Sequence, residues 1–225
     1  MNAALPGSAA SPDDDATVDV AGVVVKLPNV PEEARLGCED VTGFQLWHAA
    51  TRAAAQELRP REGRLLLELG CGLGALGSSC RGFVVLTDKE LPVLRLAQRT
   101  GHASGARFDA VAFDFTRGRQ PWRSGCFDTV MAADVLFMDR LAEPLFNAFA
   151  HHGLGTVGVL GHQRRRAVFR GPDGQPCLEP EDSALQKFLE RAASHVVQMT
   201  EHEDEESVGL VMEWPARAAK RTRLE

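Results

Sequence analysis

The sequence predicts an α/β fold built on a seven-stranded, mostly parallel sheet with helices on both faces and an antiparallel C-terminal strand pair. Three observations predict it. From Arg64 onward, short continuous apolar runs alternate with segments of helical periodicity, the pattern of a parallel sheet covered on both faces. The last two runs, HVVQMTE and SVGLVMEW, follow one another with no helix between them, which calls for an antiparallel pair. The length of 225 residues is enough for one such domain and short for two.

Residues 1–16, MNAALPGSAASPDDDA, lack a basic stretch followed by an apolar one and read as a disordered lead-in rather than a secretory signal. The domain is expected over 17–215, with a basic tail at 216–225. VDVAGVVVKLPNV, ended by Pro28 and Pro31, predicts an edge hairpin or cover strand. Thr42 or Asp40 can cap a helix through GFQLWHAATRAAAQELR, apolar at Leu46, Ala50, Ala53, Ala54 and Leu58 and closed by Pro60 and Gly63. RLLLEL is the first strand of the regular part, followed by a glycine-rich turn and a short helix. FVVLTD precedes the helical ELPVLRLAQRT, FDAVAFD is the third strand, and FDTVMAAD precedes the helical RLAEPLFNAFAHH. TVGVLGH is the fifth; a Gly/Pro-rich loop then leads to the helical EDSALQKFLERAAS. The acidic run Glu203-Asp204-Glu205-Glu206 predicts the tight loop of the final pair.

Composition removes several classes of function. A net charge of −6 argues against broad nucleic-acid binding, which requires a basic face. The five cysteines are scattered and form no CxxC pair, so neither a disulfide framework nor a zinc site is expected, and no metal is assigned. No apolar run reaches the roughly 18–20 residues that span a bilayer. A monomer in the cytoplasm, with the nucleus as the alternative, is the expectation from these features.

The chemistry-bearing segment is Glu68-Leu69-Gly70-Cys71-Gly72-Leu73-Gly74, at the carboxyl end of the first regular strand. Glycines there let the backbone turn sharply and lie against a ligand in the crevice of a Rossmann-like sheet. The overlapping Gly72-Leu73-Gly74-Ala75-Leu76-Gly77 also satisfies GxGxxG, so a nicotinamide dinucleotide is a competing ligand. Charge separates the two. A dinucleotide brings an anionic pyrophosphate, whereas S-adenosylmethionine brings a sulfonium, an ammonium and one carboxylate. Facing the crevice, Glu68 would repel the former and favour the latter. Asp88, Asp114 and Asp134 also fall at strand ends: Asp88 is placed to accept the ribose hydroxyls, and Asp114 the adenine amino group between Phe113 and Phe115. Each of these acids has an alternative reading as a cap or turn residue.

ELGCGLGALG, TDKELPVLRLAQRT and FDTVMAADVLF, with GFQLWHAA upstream, resemble the seven-β-strand protein-lysine methyltransferases known as methyltransferase family 16, which include the methyltransferase-like 21 group. The similarity runs from about Gly43 to Phe137. It implies that S-adenosylmethionine lies against Trp47, approaches Gly70, Cys71 and Gly72 with its methionine part, is held at the ribose by Asp88, and meets Phe113 and the backbone of Ala133. It also implies a protein lysine as acceptor. The family's Asp-x-x-Tyr motif reads Asp134-Val135-Leu136-Phe137 here; Phe137 keeps an aromatic wall for the alkyl chain but has no hydroxyl, and the chain contains no tyrosine. His48 replaces the family's proline, and the Glu68–Asp88 interval is about one helical turn short.

On this reading Asp134 orients the incoming amine and Phe137 walls it. His162 at the end of the fifth strand is either a base for another nucleophile or, by the commoner pattern, a surface residue. Arg164-Arg165-Arg166 reads as a solvated charge run, with contact to an acidic substrate segment as the alternative. The competing functions are an NAD(P)-dependent oxidoreductase and a catalytically degenerate methyltransferase fold that only binds.

Overall fold

Leucine- and valine-rich runs with no polar interruption form the central strands, because both faces of a parallel sheet are buried. The computed structural model describes residues 16–36, 38–58, 65–118, 120–152, 156–165, 168–170, 175–178, 182–196, 198–203 and 207–215. In chain order these form β1 (Ala16–Val20), β2 (Val23–Leu27), α1 (His48–Leu58), β3 (Leu65–Leu69), α2 (Ala75–Ser78), β4 (Phe83–Asp88), α3 (Leu91–Ala103) and β5 (Arg107–Ala112). Then follow β6 (Thr129–Ala133), α4 (Ala142–His152), β7 (Val157–Gln163), β8 (Val168–Arg170), β9 (Pro176–Leu178), α5 (Ser183–Ala193), β10 (Gln198–Glu203) and β11 (Ser207–Glu213).

The main sheet has seven strands in the order β10-β11-β7-β6-β3-β4-β5. β3 pairs in parallel with β4 and β6, β4 with β5, and β6 with β7, while β11 runs antiparallel to β7 and β10. The expected sheet and its antiparallel C-terminal pair are therefore present. Successive side chains of β3 go to opposite faces: Leu67 and Leu69 join α4 and α5 in one core, and Leu66 joins α1, α2, α3 and the β1–β2 hairpin in the other. Each such leucine, removed from water, contributes about 1.5–3 kcal/mol.

Three elements differ from expectation. The segment predicted as one helix from Gly43 is a 3₁₀ turn (Thr42–Phe44) followed by α1, because Gln45 is extended with φ −116° and ψ 141°. Asp40 caps that turn, accepting from the Thr42 N–H at 2.9 Å, and Trp47 lies just before the helix rather than within it. The loop before α5 contains the hairpin β8–β9. Residue 16, counted with the lead-in, is the first residue of β1. Pro60, Gly63, residues 204–206 and the 216–225 tail lie outside the described residues.

β1 and β2 form the anticipated hairpin, turned by Ala21 and Gly22 at φ 51° and 83° with the Gly22 N–H donating to Asp19 at 2.7 Å. More consequential for the site is Gly161 in β7. A Cβ there would sit 2.0 Å from the Ala50 carbonyl oxygen, so α1 rests on β7 at backbone contact. That contact places the start of α1, and with it Trp47, over the carboxyl ends of the strands. Among the described residues no helix is long and apolar enough to cross a membrane.

Candidate active site

The sheet order reverses between β3 and β6, so the loops leaving these strands diverge and open a crevice at their carboxyl ends. A cleft of about 890 Å3, counted to its open mouth, fills this position. Trp47, Glu68, Gly70, Cys71, Gly72, Asp88, Phe113, Asp114, Ala133, Asp134 and Phe137 all line it. Its mouth adds residues not anticipated from the sequence: Asp40, Thr42 and Gly43 of the 3₁₀ turn, and Lys89, whose ammonium lies 3.4 Å from Asp40. Among the described residues no group of histidine, cysteine and carboxylate side chains could hold a metal ion.

The glycine turn is built around carboxylates of its own chain. Gly70 leaves β3 at φ +64°, and a Cβ there would come within 2.7 Å of Val135, so the turn after β3 packs against the turn after β6. The Gly72 N–H donates to Asp88 Oδ2 at 3.1 Å, and the Gly77 N–H donates to Glu68 Oε2 at 3.0 Å. Gly77 permits that approach, since a Cβ would lie 2.5 Å from the same oxygen. Asp88 also accepts from the Glu90 N–H at 3.0 Å, tying the turn to the start of α3.

These contacts change the electrostatic reading of the four acids. Glu68 is 2% exposed, and burial pushes its carboxyl up to about 8; the Gly77 N–H works against this and Asp88 reinforces it. Burial also raises Asp88, against the hydrogen bonds from Glu90 and Gly72. The Cys71 thiol is raised by burial and by both carboxylates, so it is no nucleophile. Asp114 takes its alternative role: it caps the turn Phe115–Arg117, accepting from the Thr116 N–H at 2.9 Å and from Arg117 Nε at 2.9 Å. Burial opposes its ionisation, but these bonds hold its carboxyl below the ordinary value. The cleft therefore carries less negative charge of its own than four free carboxylates would.

Phe113 is 7% exposed and backed by an aromatic group, with the Trp122 ring centroid at 5.6 Å edge-on and His152 at 6.2 Å. Phe115 lines the cleft beside it, so both rings expected around an adenine are in place as apolar surface.

At the other end Asp134 adopts φ +57°, a conformation that side chains other than glycine seldom take. Its side chain has no exposed surface. Oδ1 accepts from the Gln163 N–H at 3.2 Å, and Oδ2 is ion-paired with Arg165. The expected bare carboxylate is thus covered by a guanidinium, which also stacks over Trp47 with Cζ 4.6 Å from the ring centroid. Arg165 does not belong to a solvated run; Arg164, which pairs with Glu203, is also engaged. His162 is fully buried rather than on the surface. Its Nε2 lies 2.8 Å from Asp182 Oδ2 and its Nδ1 lies 3.8 Å from Asp134 Oδ1. Asp182 caps α5 and also accepts from the Arg165 N–H at 2.7 Å. Burial opposes its ionisation, but the His162, Arg165 and Leu185 donors together lower its carboxyl. The cluster is assembled from β6, β7 and the start of α5, and nothing in any one of those segments announced it.

Neither a family model nor a curated protein matches this sequence. Solved structures do match. The CurJ carbon methyltransferase is 17% identical at TM-score 0.52, over 72% of this chain and 51% of that one, so the chain spans about half its length. The DhpI–SAH complex is 19% identical at TM-score 0.51, over 73% and 84% of the two chains. The [4+2]-cyclase SpnF is 16% identical at TM-score 0.54, over 80% and 86%. The chain has the Rossmann-like methyltransferase fold. That fold carries a cyclase as well, so the reaction is set by the site and not by the fold.

Proposed function

We infer that the chain is an S-adenosylmethionine-dependent methyltransferase acting on an amine, with a protein lysine as the acceptor. One observation carries the choice of cofactor. The Gly72 and Gly77 N–H groups, two donors that a pyrophosphate would need, are already engaged by Asp88 and Glu68. The helix behind them, α2, is four residues long and offers little dipole. A ligand with a cationic end and no phosphate suits such a turn, and the same fold in DhpI is described in complex with SAH, the demethylated form of that cofactor. Lysine as acceptor rests on the resemblance of GFQLWHAA and ADVLF to the lysine methyltransferases.

The residues fit the cofactor by their chemistry. Glu68 and Asp88 would hold its cationic end and ribose, Trp47 and the backbones of Gly70, Cys71, Gly72 and Ala133 would flank it, and Phe113 and Phe115 would cover the adenine. Asp114, held to Thr116 and Arg117, keeps its carboxylate beside that ring. When bound, the cofactor supplies an electrophilic methyl group. The chain supplies position and dryness: Phe137 walls the alkyl chain of the acceptor, and Asp134 in its left-handed conformation aims the Val135–Phe137 turn across the cleft. A lysine must shed a proton, against a reference pKa of about 10.4, before its nitrogen can attack.

Calorimetry decides the cofactor: S-adenosylmethionine is expected to bind and NAD to leave no heat. Radiolabelled S-adenosylmethionine in a cell lysate, followed by mass spectrometry, is expected to label lysine. Label on another residue type refutes the acceptor, and cofactor binding with no labelled acceptor favours a binding protein.

A further inference from the structure

We propose that Arg165 is a positioning residue that neutralises Asp134, so that the acceptor end of the cleft selects an uncharged amine over an alkylammonium. The proposal rests on the methyltransferase reading above and specifies the form in which its acceptor binds.

A lone carboxylate at the acceptor end stabilises a bound ammonium and raises its pKa, the wrong direction for a nucleophile that must be neutral. In this chain the carboxylate is not alone. Arg165 pairs with Oδ2, the Gln163 N–H donates to Oδ1 at 3.2 Å, and the side chain is fully buried. The guanidinium is held by Asp134 on one side and the Trp47 ring, 4.6 Å from Cζ, on another, and the backbone of the same residue is anchored by its N–H on Asp182 at 2.7 Å. Trp47 and Asp134 both line the cleft, so the charge of Arg165 stands directly behind two of its wall residues.

His162 completes the arrangement. Asp182 takes the Arg165 and Leu185 N–H groups as well as His162 Nε2, so the ring donates through Nε2. The buried Nδ1, 3.8 Å from Asp134, has no hydrogen-bond partner. The direct ion pair of Asp134 is with Arg165, through Oδ2. The other titratable groups lining the cleft are Glu68, Cys71 and Asp88 at the ends of β3 and β4, Asp40 and Lys89 paired with each other, Glu90 before α3, and Asp114, which is held by Thr116 and Arg117. A lysine ammonium arriving at this end meets a neutral ion pair rather than an anion, and it enters after giving its proton to water.

Charge-fixed probes test this without turnover. The chain is loaded with S-adenosylhomocysteine and titrated calorimetrically with Nα-acetyl-norleucine methylamide, which is uncharged, and Nα-acetyl-Nε-trimethyllysine methylamide, a permanent cation. The ratio of the two affinities is compared between variants, so probe size and folded fraction cancel. The native chain and Arg165→Lys are expected to prefer the uncharged probe. Arg165→Gln is expected to move the ratio toward the cation by at least about tenfold, since an unpaired carboxylate is exposed to it. A ratio in Arg165→Gln within twofold of the native value overturns the proposal, as does binding of neither probe to the loaded native chain. Failure of S-adenosylhomocysteine itself to bind overturns the methyltransferase reading beneath it.

Discussion

Glu68 shows how one residue can hold two opposed requirements. The carboxyl is needed to receive the Gly77 N–H and shape the turn, yet burial raises it from 4.5 to about 8. The folded chain therefore keeps a proton that the unfolded chain releases. Its contribution to stability is present in full below pH about 4.5, declines as pH rises, and is lost by pH about 8. Glu68→Gln can still accept from Gly77 but has nothing to titrate. The stability of the native chain, read from melting curves, is expected to fall relative to this variant between pH 5 and 8, by up to about 1.4 kcal/mol per pH unit. Parallel melting curves would expose an ordinary, solvated Glu68. Binding of a cationic ligand beside the group should also expel the proton, so cofactor affinity should rise with pH through about 8, with proton release readable from calorimetry in buffers of different ionisation heat.

Among the elements, α1 matters most, because it lines the cleft only through Thr51 and yet sets where Trp47 stands. Its alanines bring the helix to backbone distance from β7, and Gly161 is the residue that allows it, with the Ala50 carbonyl 2.0 Å and the Ala54 Cβ 2.8 Å from where a side chain would begin. Gly161→Ala must push α1 off the sheet. A loss of about 1–3 kcal/mol in urea unfolding is expected, together with weakened cofactor binding, because Trp47 and the capped turn at Asp40 move with the helix. Unchanged stability would show that α1 slides without cost and that its seat on β7 is not what places Trp47. The short α2 belongs to the same account: its four residues suffice because the turn before it is held by Asp88 and Glu68 rather than by a helix dipole.

For the molecule as a whole, the reversal of strand order between β3 and β6 decides where ligands can bind, and the site draws on the ends of β3, β4, β5 and β6 together, with the end of β7 behind Asp134. Ligand binding should accordingly stabilise the whole sheet. At a concentration about 100 times its Kd, S-adenosylmethionine is expected to add about 2.7 kcal/mol to stability, or roughly 5–10 °C in melting temperature for a domain of this size. NAD at equal concentration should leave it unchanged. A shift with NAD and none with S-adenosylmethionine would return the GxGxxG glycines to a pyrophosphate.

The strands of the main sheet, their order of appearance and the closing antiparallel pair were legible from residue patterns alone, because a buried parallel strand needs an uninterrupted apolar run and FVVLTD or TVGVLGH can be little else; the short β8–β9 hairpin was not. The glycines and acids at the ends of those runs marked the cleft for the same local reason. What the tertiary structure alone decided is the charge within it. Glu68 looks anionic in sequence and is raised by burial, Asp114 looks free and is a cap, and Arg165 and His162 look solvated and are joined to Asp134 and Asp182. Except for Asp114, whose partners Thr116 and Arg117 are local, charge states and ion pairs depend on burial and on neighbours 9 to 31 positions away in the chain, from Glu68–Gly77 to Asp134–Arg165. No local pattern of residues encodes those distances.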